Sequence, residues 1–278
     1  MARFIAILVG LFFGVILLWS FGVGLYTWAT EEHETTAEHV FYEHPRDAKL
    51  PSAGVFGTFD VQQLQRGYKV YKEVCAACHA LRHVAFRDLA QLGYSEAQVK
   101  AEAATWQVPG VDPNTGEAAS RPGLATDYFP SPYPNDIAAR AANNNAVPPD
   151  LSLITKARHD GSNYVYSLIT GYQDQPAALL AQFPDAKTPN GLHYNPYFPN
   201  LNIAMAPPLT SDGQVTFDDG SSSTVASMSR DVAAFLTWAA EPTLAKRHQA
   251  GWPVVLFLII ASILAYLAYQ NVWRNQKH

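Results

Sequence analysis

Cys75-Ala76-Ala77-Cys78-His79 sets two thiols three positions apart and an imidazole directly after the second. The spacing is that of a c-type haem attachment site. Each thiol can add to a haem vinyl group, and the adjacent histidine then lies under the iron. No other cysteine occurs in the chain. The competing readings are a redox dithiol, half of a zinc site, or chance. A structural zinc site takes four ligands, commonly as two pairs, and there is no second cysteine pair here.

A low-spin haem needs a sixth ligand, and methionine raises its potential relative to a second histidine. The chain has three methionines. Met1 opens an apolar run and Met228 falls in a helical pattern, where packing accounts for it. Met205 lies in Ile203-Ala204-Met205-Ala206-Pro207-Pro208, a loop stiffened by two prolines. It is the expected axial partner of His79, with the eight other histidines or an open position as rivals. Lys156 and Arg158 are basic residues in an acidic region, and either could meet a haem propionate. Their positions do not choose between them.

The elements that must hold these residues read as mainly helical. From Asp60 onward Leu64, Tyr68, Tyr71, Cys75 and Cys78 recur at spacings of four, three, four and three. That periodicity predicts one amphipathic helix carrying both sulfurs on its apolar face, capped by Thr58 or Asp60. A short helix is expected over 95–105, two helical pieces over 151–171, and a further helix over 227–240 ended by Glu241-Pro242. Between them, prolines from Pro109 to Pro134 predict long irregular stretches. Residues 31–58 read as irregular chain, and His33, His39 and His44 within them as solvated loop histidines.

Both ends are apolar. Phe4 to Trp28 is 25 residues without a charge, and Trp252 to Trp273 a second apolar run of 22. About 20 apolar residues suffice to cross a bilayer as a helix. The first run is expected to be a retained anchor, because it exceeds the ~7–15 apolar residues of a signal peptide core. A cleaved signal ending near Thr27-Trp28-Ala29 is the alternative. The second run is expected to place Pro253 in its first turn. The organisation is then an N-terminal membrane segment (1–30), an exported domain (31–250) and a C-terminal transmembrane anchor with a short tail (251–278). The exported domain holds 16 basic and 24 acidic residues, a net charge of −8. This excludes a nucleic-acid partner, which needs a basic face, and suits long-range attraction to a cationic protein.

Several further motifs accompany the cysteine pair. They are Gln65-Arg66-Gly67-Tyr68, Ala141-Ala142-Asn143-Asn144, Pro148-Pro149-Asp150-Leu151-Ser152, Ala157-Arg158-His159, Asn195-Pro196-Tyr197-Phe198, Met205-Ala206-Pro207-Pro208 and Trp238-Ala239-Ala240-Glu241-Pro242. With them, residues 52–278 resemble the cytochrome c1 family, the haem-bearing subunits of cytochrome bc1 complexes, in its alphaproteobacterial form. The resemblance implies a mainly α, cytochrome c-like haem domain with long loops. It implies one covalent haem c on Cys75 and Cys78, with His79 and Met205 axial and Arg158 at a propionate. It implies a cytochrome b partner, an electron received from a Rieske iron–sulfur protein and passed to a cytochrome c, and a dimeric complex. The haem domain would face the periplasm from the bacterial inner membrane, with the C-terminus cytoplasmic. The chain would then be an electron-transfer subunit and no enzyme by itself. A haem c subunit of another membrane redox complex, such as a terminal oxidase, is the alternative. Some members carry an extra disulfide in the haem domain, for which this chain has no cysteines.

Overall fold

The structure is a computed structural model and describes residues 2–30 and 35–276. Its helices, in chain order, are α1 (Ala2–Thr30), α2 (Ala37–Phe41), α3 (Val61–Glu73), α4 (Glu96–Ala104), α5 (Asp136–Ala142), α6 (Ile154–Ala157), α7 (Gly161–Thr170), α8 (Ala177–Gln182), α9 (Val225–Ala240) and α10 (Leu244–Trp273). Two short antiparallel ribbons complete it. One pairs β1 (Gln107–Val111) with β2 (Ala118–Pro122), the other β3 (His193–Tyr194) with β4 (Asn202–Ile203). The fold is mainly α, and helices α1 and α10 are both long and apolar enough to cross a membrane.

The chain forms two units that divide between Val40 and Phe41. In the first, α1 contains the whole Phe4–Trp28 run and buries none of its side chains. His33 lies outside the described residues.

In the second unit, α3 and α9 are the central pair. Asp60 caps α3, its carboxylate accepting from the Gln62 and Gln63 amides. Thr224 caps α9 in the same way through Ser227. The two helices meet at Gly67, where the backbone of α9 comes so close that a Cβ would lie 2.0 Å from the Asp231 carbonyl oxygen. Around this crossing Tyr68, Tyr71, Phe129 and Phe235 form an aromatic cluster, with Tyr71 and Phe235 rings 5.6 Å apart. Met228 is fully buried in the same core, as its helical position implied. Asp231 is a buried carboxylate on α9. It accepts from Arg66 Nε at 2.8 Å and Gln63 Nε2 at 3.0 Å, so its charge is paired inside the core.

A second polar node ties α3 to α4. Glu102 accepts from Tyr68 Oη at 2.6 Å, Trp106 Nε1 at 3.0 Å and Lys72 Nζ at 2.8 Å. Burial alone would raise its carboxyl, but these donors outweigh it and hold the group below the usual carboxylate range. A carboxyl held low in the folded chain contributes stability that is complete above the unfolded value, about 4.3. That contribution is lost as pH falls through the folded value. Glu102→Gln is therefore expected to lower stability at neutral pH. Its denaturation midpoint should also fall less than the parent's between about pH 5 and pH 3. Parallel midpoint curves for the two proteins would remove Glu102 from the acid response.

The β1–β2 hairpin occupies a stretch that the prolines marked as irregular. Pro109 and Pro122 stand in a two-stranded ribbon, where every strand is an edge and the missing N–H costs little. Gly116, at φ +73°, closes the turn after Asp112. Helix α10 also departs from expectation. It starts at Leu244 instead of Trp252, which puts Pro253 in its interior. Ala245, Lys246, Arg247, Gln249 and Ala250 are good helix formers and carry the helix through the polar segment.

Candidate functional site: the cysteine–histidine turn

Helix α3 does not contain the two cysteines. It ends at Glu73, and Cys75–Ala77 form a single 3-10 turn. Val74, at φ −120°, breaks the helical path. The Cys78 and His79 amides then both fold back onto the Cys75 carbonyl, at 3.1 and 2.9 Å. The periodicity that led to Cys75 is real as far as Tyr71. Beyond it a tighter turn carries the chain from Cys75 to Cys78 and His79.

His79 is pinned from outside. Its Nδ1 lies 2.8 Å from the Pro149 carbonyl oxygen, so this nitrogen carries the proton. Nε2 has no hydrogen-bond partner in the described residues. A histidine held in this tautomer offers its Nε2 lone pair to a metal, and metal-ligating histidines commonly make this second bond. Burial lowers the His79 pKa, against the opposing pull of the Pro149 carbonyl and Asp150. The imidazole is thus neutral near pH 7, as a ligand must be.

The Pro149 loop is zipped along the turn. Leu151 N donates to Ala80 O at 2.9 Å, Arg82 N to Asp150 Oδ2 at 3.0 Å, and His83 N to Ser152 Oγ at 3.1 Å. Tyr71 Oη donates to the His79 carbonyl at 3.3 Å. These bonds hold Pro148-Pro149-Asp150-Leu151-Ser152 against the cysteine motif. Sequence reasoning gave the Pro149 carbonyl no role, because a backbone acceptor has no residue-type signature.

Desolvation pushes the Cys75 thiol up to about 12, with the neighbouring Cys78 adding to the shift. A dithiol oxidoreductase needs the opposite, a depressed thiol that supplies thiolate near pH 7. Among the described residues no group of three His, Cys, Asp or Glu side chains could hold a metal ion, which also disfavours zinc. The donor set that does fit is two thiols in one Cys-x-x-Cys turn followed by one oriented imidazole.

Met205 follows β4 and is half-buried. Its carbonyl accepts from Tyr172 Oη at 3.0 Å, and the Pro208 carbonyl accepts from Gln214 Nε2 at 2.8 Å. The loop is therefore fixed on both sides of the thioether. Lys156 is engaged elsewhere, 3.3 Å from Glu241 Oε2. Arg158 is exposed, and NH1 donates only to the neighbouring Ala157 carbonyl at 3.1 Å, while the guanidinium also interacts with the Tyr164 hydroxyl.

A fixed Cys-x-x-Cys-His turn in a mainly helical domain that continues into a membrane-length helix is the build of an anchored c-type cytochrome. The Cytochrome C1 family model matches residues 50–276, so the chain belongs to that family. It is 49% identical over 248 residues to cytochrome b/c1 of Bradyrhizobium diazoefficiens, across 84% of this chain and 36% of that protein. It therefore spans only about a third of that relative's length. It is 46% identical over 242 residues to the mitochondrial haem protein cytochrome c1-2 of Solanum tuberosum, across 87% of this chain and 89% of that one. It is 42% identical over 249 residues to the mitochondrial cytochrome b-c1 complex catalytic subunit of Candida albicans, across 90% and 83%.

Proposed function

We propose that this chain is the monohaem c subunit of a cytochrome bc1 complex. It would receive one electron from a Rieske iron–sulfur protein and pass it to a cytochrome c. The observation that carries this is the His79 ring held by Pro149 directly after the Cys75–Cys78 turn, on a chain of this family. Cys75 and Cys78 would hold one haem c covalently, and His79 and Met205 would be its axial ligands. The bound haem supplies a one-electron couple. The protein's own part is to fix the two ligand-bearing loops and to keep the imidazole neutral. Arg158 would meet a propionate, as the family resemblance implies, and the pairing of Lys156 with Glu241 is consistent with that choice. The acidic domain favours a cationic cytochrome c as acceptor, with an attraction that salt weakens.

Cytochrome b would be the membrane partner, in a dimeric complex. Arg3, Arg274 and Lys277 at the chain ends support cytoplasmic termini and a domain on the outer, periplasmic face of a bacterial inner membrane.

Intact-mass measurement of the purified full chain tests the reading. The mass should exceed that of the polypeptide by one haem. The increment should persist under denaturing conditions and vanish when Cys75 and Cys78 are both replaced by serine. A mature chain with no added mass and two alkylatable thiols would overturn the assignment.

A further inference from the structure

The segment between Leu50 and Thr58 folds into a small closed loop. Thr58 N donates to the Pro51 carbonyl at 3.0 Å, Ala53 N to the Leu50 carbonyl at 3.0 Å, and Gly57 N to the Gly54 carbonyl at 3.2 Å. Gly57 is held so tightly that an added Cβ would fall 2.1 Å from the Ser52 carbonyl oxygen. The tip of this rigid loop is Val55-Phe56. These residues are 63% and 75% exposed although both are apolar.

The loop lies along the start of α10. At one end the Gly57 carbonyl is 3.0 Å from His248 Nδ1. At the other the Phe56 ring stacks on Trp252, with centroids 5.0 Å apart and planes 14° from parallel. His248 and Trp252 are one helical turn apart, about 6 Å along the axis. His248 belongs to the polar part of α10, and Trp252 opens its apolar run. The loop therefore descends beside the helix, with its apolar tip on the side where the membrane span begins. Lys246, one residue pair above His248, is exposed and makes no ion pair among the described residues.

We infer that Val55 and Phe56 insert into the phospholipid interface beside Trp252 and form a second membrane contact for the folded domain. Aromatic rings favour this depth, where headgroups meet acyl chains. Shallow apolar insertion of this kind reaches about 5–10 Å into that boundary. A cation such as Lys246 just above it suits lipid phosphate. The stack on Trp252 identifies the occupant, since that residue opens the exposed apolar run of α10 that is long enough to cross a bilayer. The inference rests on α10 crossing the bilayer and is independent of the haem assignment.

Spin-label accessibility in the full chain tests it. Val55→Cys, an exposed position, is labelled and the protein is reconstituted into vesicles of phosphatidylcholine and phosphatidylglycerol. Asn114→Cys, at the polar tip of the β1–β2 hairpin, is the aqueous reference, and the parent chain reports any labelling of Cys75 or Cys78. The expected result is an oxygen-to-nickel-chelate accessibility ratio several-fold higher at 55 than at 114. Equal ratios would place the loop in water and overturn the inference. Screening of position 55 from both relaxants would mean that protein covers it, and would overturn the inference too.

Discussion

Met205→Leu is expected to lower the midpoint potential by on the order of 0.1–0.3 V, a part of the ~0.8 V that axial ligation spans in haem proteins. A thioether opposite an imidazole favours the reduced iron, and removing its sulfur withdraws that preference. The substitution isolates the sulfur. Leucine matches methionine closely in volume, and such swaps usually cost under ~1.5 kcal/mol of stability. The backbone on either side is held by Tyr172 and by Gln214 through bonds that do not involve the side chain. A redox titration of the full chain, followed by absorbance, reads the shift. A potential and spectrum equal to the parent's would remove Met205 from the ligand set and return the question to the other histidines.

Gly67→Ala is expected to destabilise the folded domain by about 1–3 kcal/mol or more, the usual cost of forcing an extra carbon into a packed core. Two effects oppose each other. In an isolated helix alanine is better than glycine by about 1 kcal/mol. At this crossing, however, the new Cβ would meet the Asp231 carbonyl oxygen at 2.0 Å, its carbon at 2.7 Å and Phe235 Cβ at 2.7 Å. Two of those atoms are backbone, so no rotamer change relieves the clash and α3 must move away from α9. The clash wins. Denaturant unfolding should show a lower midpoint in Gly67→Ala, and an unchanged or higher midpoint would mean the two helices are less tightly apposed. Because α3 runs directly into the Cys75 turn, the displacement should also reach the site.

The chemistry was more legible in the sequence than the frame that holds it. Cys75, Cys78 and His79 stand out in the sequence by residue type and spacing, the pattern that a covalently held and ligated haem would demand. Leu64, Tyr68 and Tyr71 revealed α3 through their period, and they are buried as that period requires. The period then misled by one turn, since Val74 breaks the helix and nothing in the spacing of apolar residues marks that break. Pro149 was out of reach for a different reason. It acts through a carbonyl 70 residues from His79, and any residue type has one. The pairing of Lys156 with Glu241, more than 80 positions away, was also out of reach, because no local pattern couples the two. Glycine at 67 could be seen, but its reason was the α9 backbone, which only the fold brings there.

One consequence follows from the junction at Glu241. This carboxylate terminates α9 and bridges to both Lys156 on α6 and Arg247 on α10. After only the Glu241–Thr243 link the chain is helical again and stays so to Trp273. The domain thus stands on a stiff mast braced at its foot, not on a string. Three linker residues and two ion pairs leave it little freedom to swing about α10. A tilt of α10 would therefore be carried into the domain at α6 and α9.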